Sequence, residues 1–324
     1  MPTCRKFDSV LLLGITSTCL ILFLSPKRDP SLLPWAAADM PLREVNERGK
    51  VELYEGGNWS SLWWLPEVAK SPRQGVQVAI EGTAKLPHLI FVPASTAPPG
   101  GWPLLVFLHG QGESSGVSSL ARVALQGPPQ QAGRNPESMR FVVLSPQKPI
   151  QEQFFSNGVA EGIMGLIDSY AKELNIDLTR VYLTGLSQGG IGTWGLASDP
   201  RFSHRFAAIA PVCGGLVGVP DMKQRAASLQ DTPIWAFHGE NDSILPVSLS
   251  DSTVSSLNST SRTAPLKYTR LAEARAQDYA WEAAGIPPME GHASWVQAYY
   301  PPRSKIDEQP LYDWFLSHTR PQTN

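Results

Sequence analysis

Residues 181–190, VYLTGLSQGG, constrain this chain more than any other stretch. Val181-Tyr182-Leu183-Thr184 is a short apolar run of β-prone residues, Gly185-Leu186-Ser187-Gln188-Gly189 is a G-x-S-x-G turn, and Gly190-Ile191-Gly192-Thr193-Trp194 reads as the first turns of a helix. Strand, G-x-S-x-G, helix places the serine on a turn so sharp that side chains two positions before and after it would collide. Glycine at both positions removes the collision and tolerates unusual backbone angles. The turn then leaves Ser187 Oγ at the carboxyl end of a strand, beside the unpaired N–H groups of a helix N-terminus. A capping serine on an ordinary strand-to-helix turn uses the same letters, so the reading depends on partners elsewhere in the chain.

An alcohol is a poor nucleophile near neutral pH and needs a base and an acid that orients the base. On a sheet of this kind the chain order is serine, then Asp or Glu, then His. Of the six histidines, only His292 and His318 lie far enough downstream. His292 stands in Glu290-Gly291-His292-Ala293-Ser294-Trp295, where the glycine suits a loop that approaches another backbone closely. His318 closes the amphipathic run Leu311-Tyr312-Asp313-Trp314-Phe315-Leu316 and reads as a helix C-terminal histidine. The acid belongs just past a strand that follows Ser187. Pro233-Ile234-Trp235-Ala236-Phe237 is such a strand, and His238-Gly239-Glu240-Asn241-Asp242 follows it. Glu240 and Asp242 both fall at its carboxyl end. Asp242 is preferred because the apolar Ile244-Leu245-Pro246-Val247 behind it would anchor the loop, and His238 reads as a structural histidine bonded within the turn. An ordinary capping or turn role is the alternative for Asp242.

The oxyanion of a tetrahedral intermediate needs donors. Pro103-Leu104-Leu105-Val106-Phe107-Leu108 is a near-continuous apolar run, as a strand buried on both faces requires, and it ends in His109-Gly110-Gln111-Gly112-Glu113. The backbone N–H groups of Gln111 and Gln188 are the expected donors. His109 precedes the serine and is expected to brace the loop.

These segments together resemble the esterase and lipase-like α/β-hydrolases, with the feruloyl-esterase, polyhydroxybutyrate-depolymerase and "predicted peptidase" (phospholipase/carboxylesterase-like) branch the nearest in look. The resemblance rests on LLVFLHGQGE at 104–113, DLTRVYLTGLSQGGIGTWGLA at 177–197, RFAAIAPVCGG at 205–215, PIWAFHGENDSILPV at 233–247, GHASWVQAYY at 291–300 and LYDWFLSH at 311–318. It implies a mostly parallel, twisted sheet with helices on both faces, and a serine hydrolase that cleaves small carboxylic esters with Ser187 as nucleophile, Asp242 as acid and His292 as base. Peptide-bond cleavage or acyl transfer by the same residues is an alternative, and so is a non-catalytic, membrane-tethered binding module on the same fold. One region departs from the pattern: about twenty residues, 272–289, separate Lys267-Tyr268-Thr269-Arg270-Leu271 from the His292 loop, and this insertion is expected to line or lid the pocket or to pack away from it.

The 324 residues hold one sizeable α/β domain, assigned to 51–320, with a Pro-rich linker at 25–50. A net charge of −2 with 17% charged residues offers no basic footprint for nucleic acid. No H-E-x-x-H, paired C-x-x-C or Gly-rich phosphate loop is present, so no metal or nucleotide cofactor is expected. Val10–Leu24 is a fifteen-residue apolar run after Arg5-Lys6, short of the roughly 20 residues of a full span. Residues 1–24 therefore read as a signal anchor or a secretory signal peptide, which places the catalytic domain in a lumenal or extracellular compartment, secreted or held at a membrane. Val51–Tyr54, Val76–Ile80 and His88–Val92 are expected to form a half-buried antiparallel edge, with Trp59, Trp63 and Trp64 packing between the first two. Cys213 reads as a small core residue, and Asn58 and Asn258 match the N-glycosylation pattern, Asn258 in a Ser-rich surface loop.

Overall fold

Alternate residues along one strand divide between two cores, and this settles the layering. In β6 (Trp102–Leu108) every residue is buried. Leu105 and Phe107 pack into one apolar cluster, while Leu104, Val106 and Leu108 pack into another. That is the two-residue period of a pleated strand covered on both sides. The computed structural model describes residues 44–45, 51–52, 64–82, 86–272, 274, 291–300 and 310–321.

Among the described residues the main sheet has nine strands, in the order β11-β10-β9-β8-β6-β7-β5-β4-β3. These are β3 (Glu67–Val68), β4 (Gln77–Ile80), β5 (His88–Phe91), β6, β7 (Val142–Pro146), β8 (Ile176–Leu186), β9 (Ala208–Val212), β10 (Ile234–Gly239) and β11 (Leu266–Leu271). From β7 through β11 all neighbours are parallel. β5 runs antiparallel to both β4 and β7. The expected parallel α/β architecture is present, with its antiparallel strand toward one edge.

The face with Leu105 and Phe107 is covered by α1 (Gly127–Arg134), α6 (Trp295–Tyr299) and α7 (Leu311–Leu316), which supply Ala132, Trp295, Ala298, Tyr299, Trp314 and Phe315. The other face is covered mainly by α2 (Asn157–Glu173) and α3 (Gln188–Ala197), with Ala226 of α4 (Met222–Ala227) in the same cluster. In α2 the buried residues Val159, Ile163, Ile167 and Tyr170 recur every three or four positions, so the helix presents one stripe to the sheet.

Two expectations at the edge need correction. Val51–Glu52 (β2) does not join the main sheet; it pairs antiparallel with Glu44–Val45 (β1) in a separate two-stranded ladder. The outermost strand is instead β3, parallel to β4. Nor is β4 half-buried: all four of its residues are buried. Trp64 packs in the core as expected, whereas Trp59, Trp63 and Asn58 lie outside the described residues. Asn258 is the exposed last residue of α5 (Ser248–Asn258), so it ends a helix rather than sitting in a loop.

β6 and β8 run parallel, and the direction in which strands are added across the sheet reverses between them. β6 leads outward to β7 on one side, and β8 leads to β9 on the other. Such a switch point opens a crevice at the carboxyl ends of the two adjacent strands. The G-x-S-x-G turn leaves β8 there, and the His109–Glu113 loop leaves β6 beside it.

Candidate active site

Ser187 joins β8 to α3 with φ 56° and ψ −117°, a conformation that costs a side-chain-bearing residue about 1–3 kcal/mol and persists only when its surroundings impose it. The imposing contacts are specific. Ser187 N–H donates to Val212 O at 3.0 Å and faces Cys213 Sγ at 3.1 Å, and Ile191 N–H donates to Ser187 O at 3.0 Å. A Cβ on Gly189 would stand 1.9 Å from Leu108 O at the end of β6, and one on Gly185 would stand 2.5 Å from Gly189 O. Glycine at 189 thus answers to the neighbouring strand as much as to the turn itself.

The predicted partners converge on the serine. His292 Nε2 lies 2.8 Å from Ser187 Oγ, and His292 Nδ1 lies 2.8 Å from Asp242 Oδ2. All three residues are at most 7% exposed. Gly291, at φ 76°, brings the histidine in: a Cβ there would meet Asn241 O at 2.1 Å, so the histidine loop lies directly on the acid loop. Gly291 N–H donates to Ala274 O at 2.6 Å, so the long excursion leaves and returns at one place. Residues 275–290, the body of the inserted segment, lie outside the described residues.

Asp242 is fixed at both oxygens. Oδ1 accepts from Ile244 N–H and Leu245 N–H, each at 2.9 Å, which is the anchoring expected of the apolar stretch behind it. Oδ2 faces His292 and also His238 Nε2 at 3.2 Å. Burial by itself would push this carboxyl up, but facing His292 and accepting hydrogen bonds from His238, His292 and the Leu245 backbone hold it well below the usual carboxylate range. Glu240 is exposed and pairs with Arg270 instead. His238 is structural, as expected, but it braces more than its own turn: it contacts Leu245 O at 2.8 Å, Ser250 Oγ at 2.7 Å and the acid.

The oxyanion loop is oriented from behind. Lys148 N–H donates to His109 Nε2 at 3.2 Å, so His109 Nδ1 carries the ring proton and donates it to Gly110 O at 2.6 Å. Burial lowers the His109 pKa to about 3 and keeps the ring neutral. Because the Gly110–Gln111 peptide is planar and trans, holding its oxygen on one side turns the Gln111 N–H to the opposite side. Gly110 lies against the nucleophile, since a Cβ there would be 3.8 Å from Ser187 Cβ. Gln188 opens α3, where a first-turn N–H has no intrahelical acceptor. Its side chain donates to Gln153 Oε1 from the loop after β7.

His318 is not part of the constellation. Its ring packs edge-on against Trp314, and Arg320 N–H donates to Thr179 O near the start of β8. At the rise of an extended strand, Thr179 is about 26 Å from Ser187. Cys213 is a buried thiol pushed up by desolvation, as a core residue should be, yet its sulfur accepts from the nucleophile's N–H. Sequence reading missed that contact. It also missed a buried polar layer beneath the oxyanion loop containing Glu113, Arg122, Gln126, Gln147 and Lys148. Charged letters in a loop read as exposed, and nothing in their spacing announces that the loop is covered. Among the described residues no group of His, Cys, Asp and Glu is placed to hold a metal ion. Among them, too, no helix is long and apolar enough to cross a membrane; the apolar run of residues 10–24 lies outside them.

A mixed, mostly parallel sheet with helices on both faces, a strained serine at the switch point and a hydrogen-bonded Ser–His–Asp chain define an α/β-hydrolase. The chain belongs to the phospholipase/carboxylesterase family, whose model matches residues 99–272, more than half of its length. It is 29% identical over 163 residues to a bifunctional acetylxylan esterase/xylanase of Neocallimastix patriciarum, a match that covers 48% of this chain but 21% of that protein. A solved thermostable esterase superposes with a TM-score of 0.53 at 28% identity, over 76% of this chain and 63% of that one. The chain thus spans about a fifth and under two thirds of these two relatives. Thermogutta terrifontis esterase 2, phosphoramylated by tabun, aligns at 16% identity with a TM-score of 0.45, over 61% of this chain and 85% of that one.

Proposed function

We propose that this protein is a serine hydrolase that cleaves small carboxylic esters through an acyl-enzyme on Ser187. The observation that carries the reading is the unbroken pair of 2.8 Å contacts from Ser187 Oγ through the His292 ring to Asp242. Ser187 Oγ attacks the ester carbonyl carbon while His292 Nε2 takes its proton. Asp242 keeps Nδ1 protonated, so Nε2 is the free base, and it stabilises the imidazolium that forms. The oxyanion is received by the Gln111 and Gln188 N–H groups, each worth about 10²–10³ in turnover. His292 then protonates the leaving alkoxide, and a water repeats the sequence to release the acid. No step calls for a metal or cofactor.

Membership of a carboxylesterase family supports the ester as substrate class, and the mechanism accounts for each buried polar group of the triad. Fluorophosphonate labelling of the wild type and Ser187→Ala, with turnover of matched ester and amide substrates, tests the reading. Ser187-dependent labelling with ester turnover is expected. Absence of labelling would leave a hydrolase-like binding module, and amide turnover would leave a peptidase. We further propose that the hydrolase domain occupies 51–320 and that residues 1–24, through a linker at 25–50, deliver it to a lumenal or extracellular face, anchored in the membrane or released. The apolar run after Arg5-Lys6 supports this part. Carbonate extraction of the full-length chain separates the two forms, and cytosolic recovery would refute both.

A further inference from the structure

We propose that Lys148 is a positioning residue for this reaction, its buried ammonium holding the loop that carries the Gln111 oxyanion donor. The inference rests on the hydrolase reading above and concerns a residue that the triad chemistry does not use. Lys148 follows β7 and is 0% exposed. Its Nζ donates to Gln111 Oε1 at 3.1 Å, Ser114 Oγ at 3.1 Å and Pro149 O at 3.3 Å. Three acceptors match the three protons of an ammonium, and a neutral amine leaves one of them facing a lone pair. Two of the three belong to the Gln111–Ser114 segment, so the charge is spent on that loop.

A buried ammonium is expensive unless its surroundings compensate. Glu113 from the oxyanion loop and Glu152 from the loop after β7 both favour the charged form, and the Phe154 ring lies 5.6 Å from Nζ. Burial pushes the Glu113 carboxyl up, while the charge of Arg122 and a hydrogen bond from Gln126 Nε2 at 3.0 Å favour its ionised form. His109, on the remaining side, stays neutral and adds no charge. Burial nevertheless outweighs the two carboxylates and lowers the Lys148 pKa to about 7. The amine therefore carries its proton below that pH and gives it up above. The hold on the loop is therefore present below that pH and lost above it, so turnover should fall as the pH rises past about 7.

The test is kcat and KM for p-nitrophenyl acetate from pH 5 to 9 with the full chain, using Ser187→Ala as the blank for spontaneous hydrolysis. The variants are Lys148→Met, which keeps the stem without the charge, and Lys148→Arg, which cannot lose its proton. Wild-type kcat should fall at least fivefold between pH 7 and 9. Lys148→Met should lose at least tenfold in kcat at pH 6.5, with KM changed less than threefold and no falling limb, and Lys148→Arg should keep more of the rate and also lack the limb. Wild-type kcat that is level from pH 7 to 9 overturns the proposal and needs no variant to fold. So does a Lys148→Met enzyme within threefold of wild type at pH 6.5. Fluorophosphonate labelling in the same samples keeps the two readings apart: loss of Ser187-dependent labelling in the wild type counts against the hydrolase, whereas retained labelling with a level profile counts against Lys148 alone.

Discussion

Replacing Asp242 by Asn changes one atom, and the surrounding hydrogen bonds decide which one. Oδ1 accepts two backbone N–H groups, from Ile244 and Leu245. An amide nitrogen there would set donor against donor twice, so the Asn carbonyl must take that side. The NH₂ is left where Oδ2 now faces His292 Nδ1 at 2.8 Å. It donates to Nδ1, which must then be the unprotonated nitrogen, so the ring proton moves to Nε2. Nε2–H cannot accept the Ser187 proton. The triad keeps its shape and loses its base. The same substitution in the serine-protease triad lowers kcat about 10⁴-fold, equivalent to roughly 5.5 kcal/mol of transition-state stabilisation at 1.36 per decade. A loss of about 10³–10⁴ in kcat/KM for p-nitrophenyl acetate near neutral pH is expected, with near-wild-type near-UV circular dichroism because both backbone bonds survive. Glu240→Gln, the other carboxylate of the same loop, should change kcat/KM less than threefold, since Glu240 is exposed and pairs with Arg270. Asp242→Asn within tenfold of wild type would refute the tautomer argument and the choice of acid together.

Gly189→Ala places a Cβ 1.9 Å from Leu108 O, so β6 and the elbow must separate; activity should fall at least 10³-fold with a measurable drop in Tm, and an active, equally stable Gly189→Ala protein would show that the close approach is not required. The Asp242 carboxyl is held low in the folded state, so the stability it contributes is present above the ordinary unfolded carboxylate value of about 4 and is lost as pH falls below it toward the folded value. Acid unfolding followed by circular dichroism should therefore start at a higher pH in wild type than the other carboxylates alone require, and Asp242→Asn should flatten that part of the curve; parallel curves would count against it. Activity should survive exhaustive dialysis against a chelator, because the proposed steps use only side chains and backbone N–H groups; inhibition reversed by Zn²⁺ would overturn that.

The sequence by itself determined the local machinery. A G-x-S-x-G between an apolar strand and a helix permits a sharp turn, because part of the crowding it relieves lies within a few residues, Gly185 against Gly189. The near-continuous apolar run of β6 announced a strand covered on both faces, and the resemblance carried by the motif segments implied a mostly parallel sheet. The order of Ser187, Asp242 and His292 could be read because the first two follow apolar strands and His292 is the downstream histidine that does not close an amphipathic run. Tertiary structure decided whatever depends on what covers a residue. Ser187 and His292 are 105 positions apart, and only the seating of Gly291 on Asn241 brings the base within reach. The edge of the sheet was misjudged because strand pairing there is set by which partner is free: Val51–Glu52 found Glu44–Val45, and Glu67–Val68 took the outer place. His238 on Asp242, Cys213 on the nucleophile's N–H and Lys148 beneath the oxyanion loop each occupy a buried position reached through long-range packing. Charge and burial together set what such groups do, and burial is a property of the folded neighbours rather than of the letters beside them.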